Sequence, residues 1–208
     1  MSPTSPNPAP NPSSRARTPR PTRILVGEDE HLVAADLTAR LGQMGYTVVG
    51  PVTDGEAALA TARSALPDLA LLDIRMPKRT GLEVARAIFA EHAIPVVLLS
   101  AYSDQASVAD AADAGVFGYL VKPASDDQLR VALELAWSRF LDFRDQRDQS
   151  GELARRLEER KLIEQAKWIL VSTRHLSEPD AMKHLQKAAR DSRRKLSEVA
   201  SEIIAQNP

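Results

Sequence analysis

Short apolar runs recur through the first two thirds of the chain, at 24–27 (ILVG), 47–50 (TVVG), 69–74 (LALLDI), 95–100 (PVVLLS) and 117–121 (FGYLV). They are nearly continuous in apolar character, as strands buried on both faces are. Between them the apolar residues take helical spacing: Leu32, Ala35, Leu37 and Leu41, then Ala57, Leu59 and Ala62, then Leu82, Ala85, Ile88 and Phe89, and last Val108, Ala111 and Ala112. Five repeats of strand and helix predict an α/β fold, a five-stranded parallel sheet covered by helices on both faces.

From Ser125 onward the pattern is helical without a strand. Leu129, Leu133, Ala136, Phe140, Phe143, Arg147, Ser150, Ala154 and Leu157 follow alternating steps of four and three, the spacing of a coiled-coil seam. Arg147, Ser150 and Gly151 interrupt it, so the reading is a long helix, weak or bent at its middle. The alternative is a helix ending near Phe143, a solvated linker and a new helix from Glu152. Two more helices follow, one opened by Ser177 with Asp180 three residues on, the other carrying Leu196, Val199, Ala200, Ile203 and Ile204. With the end of the long helix they make a small three-helix, all-α tail.

Composition adds three constraints to this outline. Seven of the fourteen prolines fall within residues 1–22, among Ser, Asn, Thr and Arg, which reads as a disordered leader. The chain has no cysteine, which excludes disulfides, thiolate metal sites and thiol nucleophiles. No apolar run approaches the roughly 18–20 residues of a bilayer span, so a cytoplasmic protein without membrane contact is expected. The net charge of −1 hides a contrast: residues 23–141 carry 10 Lys/Arg against 16 Asp/Glu, and residues 152–208 carry 12 against 9. A mildly basic tail is compatible with a polyanionic partner without requiring one.

Ligands of open parallel sheets bind at the carboxyl ends of the strands. There the chain places Glu28 and Asp29 after the first strand, Asp73 at the third, Ser100 at the fourth, and Lys122 with Pro123 after the fifth. Three converging carboxylates repel one another unless a cation lies among them, and a hard divalent ion such as Mg²⁺ suits oxygen ligands of this kind. Lys122 offers a point charge and Ser100 a hydroxyl to a phosphate. The set points to phosphoryl chemistry.

Residues 23–141 resemble the receiver domain of bacterial two-component response regulators, through GEDE (27–30), LLDIRMP (71–77) with Gly81, LLSAY (98–102) and GYLVKP (118–123). The resemblance implies a flavodoxin-like fold in which Asp73 accepts a phosphoryl group from a sensor histidine kinase. It implies that Asp29 and Asp73 ligate Mg²⁺, that Arg75 supplies a backbone carbonyl, and that Glu28 acts through water. Ser100 and Lys122 are then expected to hold phosphoryl oxygens, and Tyr119 to be the aromatic that switches with phosphorylation. Tyr102 lies where it can tune water access, with an ordinary exposed tyrosine equally compatible; His31 reads as a surface residue at a helix start. No turnover of a separate substrate is expected, only the domain's own phosphorylation and dephosphorylation.

The tail resembles the ANTAR module, an RNA-binding antiterminator output, through RKLIEQAKWIL (160–170), SEPDAMKHLQKAAR (177–190) and KLSEVASEII (195–204). Two residues depart from that pattern: Trp168 stands where glycine is usual, and Met182 where an aromatic is usual. Trp168 fits a core or dimer-packing role, or a ring presented outward for stacking. Lys167, Lys183, Lys187, Arg190, Arg193 and Arg194 are the candidate contacts to the phosphates of RNA stem-loops. The expected organisation is a leader at 1–22, a receiver at 23–141, a helical linker or coiled coil at 142–152 and the RNA-binding module at 153–208, with the 129–157 helix joining a homodimer. A tail that only dimerises or docks a protein is the alternative.

Overall fold

The computed structural model describes residues 20–101 and 115–207. Most of the proline-rich leader, Tyr102 and the helical stretch around Val108, Ala111 and Ala112 lie outside them. Five parallel strands, β1 (Arg23–Gly27), β2 (Thr47–Val52), β3 (Leu69–Asp73), β4 (Val96–Ser100) and β5 (Val116–Val121), form one sheet in the order β2-β1-β3-β4-β5. Their bounds agree closely with the apolar runs, because β3 and β4 are buried at every position. Pro51 lies in β2, an edge strand, where the missing N–H costs no ladder bond.

Helices α1 (His31–Gln43), α2 (Gly55–Ala65) and α3 (Gly81–His92) follow β1, β2 and β3. The side chain of Asp54 accepts from the Ala57 N–H to cap α2, and Thr80 with Glu83 forms a capping box on α3. One apolar cluster joins Leu25, Ala70, Leu72, Val96 and Leu98 to α2 and α3; the other joins Ile24, Val26, Leu71, Val97 and Leu99 to α1 and to Leu129, Leu133 and Ala136. The alternation of strand residues between the two clusters is the period of two of a sheet covered on both faces. His31 is the exposed first residue of α1, as expected of a surface position.

The chain divides into two compact units, one ending at Asp142 and one beginning at Phe143. Helix α4 runs unbroken from Asp126 to Arg174, so Gly151 is an interior helical residue, and the reading with a helix end near Phe143 and a linker is not what forms. The seam is also corrected. Leu129, Leu133, Ala136 and Phe140 are buried within the first unit, and the Phe140 ring packs edge-on against Phe117 and beside Trp137. These residues serve the sheet, whose covering helix needs the same spacing as a coiled-coil seam, and are not free for a second chain.

In the second unit, Ala166 and Leu170 of α4 pack with Ala181 and Leu185 of α5 (Glu178–Ser192) and Val199 and Ala200 of α6 (Leu196–Gln206). Ser177 caps α5 by accepting from the Asp180 N–H. Among the described residues no helix is long and apolar enough to cross a membrane.

Candidate functional site

The sheet order reverses at β1, with β2 on one side and β3 on the other. The carboxyl ends of β1 and β3 therefore form the crevice where such sheets bind ligands. Glu28 and Asp29 follow β1, Asp73 ends β3, and carboxylate oxygens of the three lie within 4.8 Å of one another. Glu28 is fully buried and Asp73 nearly so, whereas Asp29 is exposed. The turn after β3 is tightened by the Arg75 N–H, which donates to Asp73 Oδ1 at 3.0 Å.

Lys122 closes the cluster. Its ammonium donates to Glu28 Oε2 at 2.6 Å and Asp73 Oδ2 at 2.5 Å. Burial pushes the Glu28 carboxyl up from its ordinary value despite the pull of Lys122. Burial also works against the charge on Lys122, but the Asp73 and Glu28 carboxylates outweigh it and hold the ammonium above the usual lysine range. One ammonium thus spans both carboxylates.

Ser100 is buried at the end of β4, its hydroxyl donating to the Ala101 carbonyl at 2.9 Å while its own carbonyl accepts from the Lys122 N–H at 2.8 Å. Tyr119 is half-buried against the α2–α3 cluster, and its hydroxyl is buried with no partner among the described residues. Burial raises its phenol from the ordinary value. The structure thus brings Glu28, Asp29, Asp73 and Lys122 together, keeps Ser100 on the adjacent strand end and turns Tyr119 inward.

Sequence reasoning passed over Arg40. It reaches Asp126 Oδ1 at 2.5 Å, Asp36 Oδ2 at 3.1 Å and the Ala124 carbonyl at 2.8 Å, tying α1 to the segment that follows Lys122 and Pro123. Beside it a cavity of about 530 Å³ opens among Glu30, Leu32, Leu99, Lys122 and Pro123. No local signal marks Arg40, since its partner Asp126 lies 86 residues away.

The candidate RNA contacts divide by their surroundings. Lys167, whose side chain is only 12% exposed, is paired with Glu178 at 2.6 Å and Glu164 at 3.0 Å, so it joins α4 to α5. Arg194 is paired with Glu202 at 2.6 Å and lies 3.7 Å from Glu198. Lys183 reaches Asp180 at 3.2 Å but is largely exposed, and Lys187, Arg190 and Arg193 are exposed. Trp168 is 73% exposed, which removes the core role and leaves the outward ones, and Met182 is half-buried.

Comparison with known proteins fits this geometry. Residues 24–134 match the response regulator receiver domain, and residues 151–204 match the ANTAR domain. The transcriptional regulatory protein PdtaR of Mycobacterium tuberculosis is 40% identical over 193 residues, spanning 93% of this chain and 94% of that one. The positive alginate biosynthesis regulatory protein of Pseudomonas aeruginosa is 38% identical over 115 residues, 54% of this chain and 46% of its own. Among solved structures, the signal receiver domain of a modulated diguanylate cyclase from Desulfovibrio desulfuricans superposes with a TM-score of 0.53 at 33% identity, over 58% of this chain and 96% of that one.

Proposed function

This chain belongs to the response regulators that join a receiver to an ANTAR domain, and from that membership we propose that Asp73 is the residue through which it is switched. The protein is a phosphorylation-controlled regulator that acts as a transcription antiterminator, in the cytoplasm, through RNA stem-loops. The observation that carries the assignment of Asp73 is its position: a carboxylate at the end of β3, held between two further carboxylates and one ammonium.

An oxygen of Asp73 attacks the phosphorus of a kinase phosphohistidine in line. The new O–P bond forms as the N–P bond breaks, and the imidazole nitrogen leaves with the electron pair. Lys122 is drawn from the carboxylates toward the incoming phosphoryl oxygens, and Ser100 turns its hydroxyl from the Ala101 carbonyl to one of them. The donor set fits Mg²⁺, since three carboxylates in one crevice with a single ammonium retain negative charge that a hard cation offsets. Asp29 and Asp73, with the Arg75 carbonyl, would hold it, and Glu28 would orient it through water. When bound it supplies charge neutralisation to the transferring group.

The phosphoryl group brings about −1.5 to −2 charge to a site whose lysine is shared between Glu28 and Asp73. Moving Lys122 alters the end of β5, on which Tyr119 lies. A buried hydroxyl without a partner costs about 1–3 kcal/mol, and the Tyr119 hydroxyl has none among the described residues, so a second packing of the ring that supplies one is favoured. In the tail, Lys183, Lys187, Arg190 and Arg193 present the charges for RNA phosphates, whereas Lys167 and Arg194 are committed to internal pairs.

The test is a titration of a paired stem-loop RNA against the full chain, with and without acetyl phosphate and Mg²⁺, at two salt concentrations. Binding that tightens on phosphorylation and weakens with salt supports the reading. Failure to shift RNA in either state leaves a tail that docks protein.

A further inference from the structure

Lys122 reaches the site from a distance. It follows β5, and in the order β2-β1-β3-β4-β5 that strand stands two places from β3 and three from β1. At about 4.8 Å per strand, β3 lies roughly 10 Å away and β1 roughly 14 Å. The ammonium nevertheless meets Asp73 at 2.5 Å and Glu28 at 2.6 Å. A four-carbon stem that crosses the end of β4 has little length to spare. Where the Lys122 backbone stands therefore decides whether the ammonium arrives.

That backbone is held on both sides. Before the side chain, the Lys122 N–H donates to the Ser100 carbonyl at 2.8 Å. After it, only Pro123, Ala124 and Ser125 precede α4, and proline has no N–H to anchor. The Ser125 N–H donates to Gln128 Oε1 at 2.9 Å and the Gln128 N–H to Ser125 Oγ at 3.3 Å, which caps the helix without joining it to the sheet. Arg40 of α1 makes that connection. Its Nη2 donates to the Ala124 carbonyl at 2.8 Å and its Nε to Asp126 Oδ1 at 2.5 Å, while Asp36, one turn earlier on α1, takes Nη1 at 3.1 Å. The planar guanidinium thus spans two residues of the segment in a fixed geometry, on a side chain that is only 18% exposed.

We propose that Arg40 is a positioning residue for phosphoryl transfer: its guanidinium holds Ala124 and Asp126 so that Lys122 reaches Asp73 across the end of β4. None of its three partners belongs to the site, so it acts through Lys122. This role in transfer rests on Asp73 being the acceptor, whereas the placement of Lys122 does not.

Two readouts on the full chain separate these. Arg40→Met keeps an apolar stem and removes every donor. With acetyl phosphate and Mg²⁺ it is expected to take up phosphate at least about tenfold more slowly, since a misplacement of about 1 Å can cost about a hundredfold. In a Lys122→Ala background the same substitution is expected to change the rate less than about twofold, because the group that Arg40 positions is gone. Amine labelling read by peptide mass spectrometry follows Lys122 itself. Held by two carboxylates, the wild-type ammonium is expected to react slowly, and Arg40→Met to raise its rate severalfold relative to the exposed Lys187. Asp126→Asn keeps the guanidinium and weakens one of its bonds; it serves where Arg40→Met loses helical content, with the same pattern expected at smaller size. Uptake at the wild-type rate, or a loss of equal size with and without Lys122, overturns the role in transfer. Unchanged labelling of Lys122 overturns the placement. If the wild type takes up no phosphate while Arg40→Met still frees Lys122, the acceptor reading of Asp73 fails and the role in transfer with it, and the placement of the lysine by Arg40 stands.

Discussion

The Lys122 ammonium lies 2.5 Å from Asp73 Oδ2, and the same ammonium lies 2.6 Å from the fully buried Glu28. One ammonium thus holds the carboxylates that a divalent ion and a phosphoryl group are expected to claim. Lys122→Ala is expected to cost about 2–4 kcal/mol, because it leaves Glu28 buried beside Asp73 without a counter-charge. Mg²⁺ should recover more stability in the variant than it adds to the wild type. Thermal unfolding with and without saturating Mg²⁺ checks this, and equal shifts in the two proteins count against shared carboxylates.

Asp73→Asn is expected to abolish the mass increase produced by acetyl phosphate and Mg²⁺ while leaving the fold intact, since the amide oxygen still accepts from Lys122. Intact-protein mass spectrometry and circular dichroism separate the two effects. Full phosphorylation of the variant would place the acceptor elsewhere.

A Cβ added to Gly81 would sit 2.1 Å from the Asp73 carbonyl oxygen, which is backbone and has little room to yield. Gly81→Ala is therefore expected to destabilise by more than about 2 kcal/mol and to slow phosphorylation by displacing the end of β3. Denaturant unfolding and the rate of phosphate incorporation measure both.

The carboxyl of Asp68 accepts from the Thr22 N–H and hydroxyl and the Arg23 N–H, fixing the start of β1. Burial raises its pKa, but these donors outweigh burial and hold it below the ordinary 3.8. Its stabilisation is therefore complete above the unfolded value and lost as pH falls through the folded one. Asp68→Asn is expected to cost about 1 kcal/mol at neutral pH, a gap that closes in strong acid. A gap that persists unchanged there would sink the assignment.

Gly151 lies inside α4 with nothing within 4 Å of where a Cβ would stand. Gly151→Ala is expected to stabilise the helix by about 0.5–1 kcal/mol. Loss of stability or of helical content on circular dichroism would show that the chain needs a break there.

Lys187→Ala or Arg190→Ala is expected to weaken RNA binding and lower the salt slope by about 1. Lys167→Ala should instead lower stability and leave the slope nearly unchanged, because its charge already joins Glu164 and Glu178. A slope reduced equally by both would return Lys167 to the RNA surface.

Much of this architecture is local. A strand buried on both faces has to be apolar throughout, so β1, β3 and β4 declare themselves, and the strand-end positions of Glu28, Asp29, Asp73 and Lys122 follow once strands alternate with helices. The cap of α5 at Ser177 is equally local, because it is one side chain on a nearby N–H. A heptad spacing carries no such information about what covers it. Leu129, Leu133, Ala136 and Phe140 continue into Phe143 and Leu157 without a change of period, yet the first four are buried on the sheet side and the last two are exposed, a division that depends on where the sheet ends. Only the tertiary structure decided that Lys167 faces carboxylates while Lys187 faces solvent, that Arg40 meets Asp126 across 86 residues, and that Trp168 stands outside its core. Charge and size are properties of a residue; the partner that neutralises or buries it is brought by the fold.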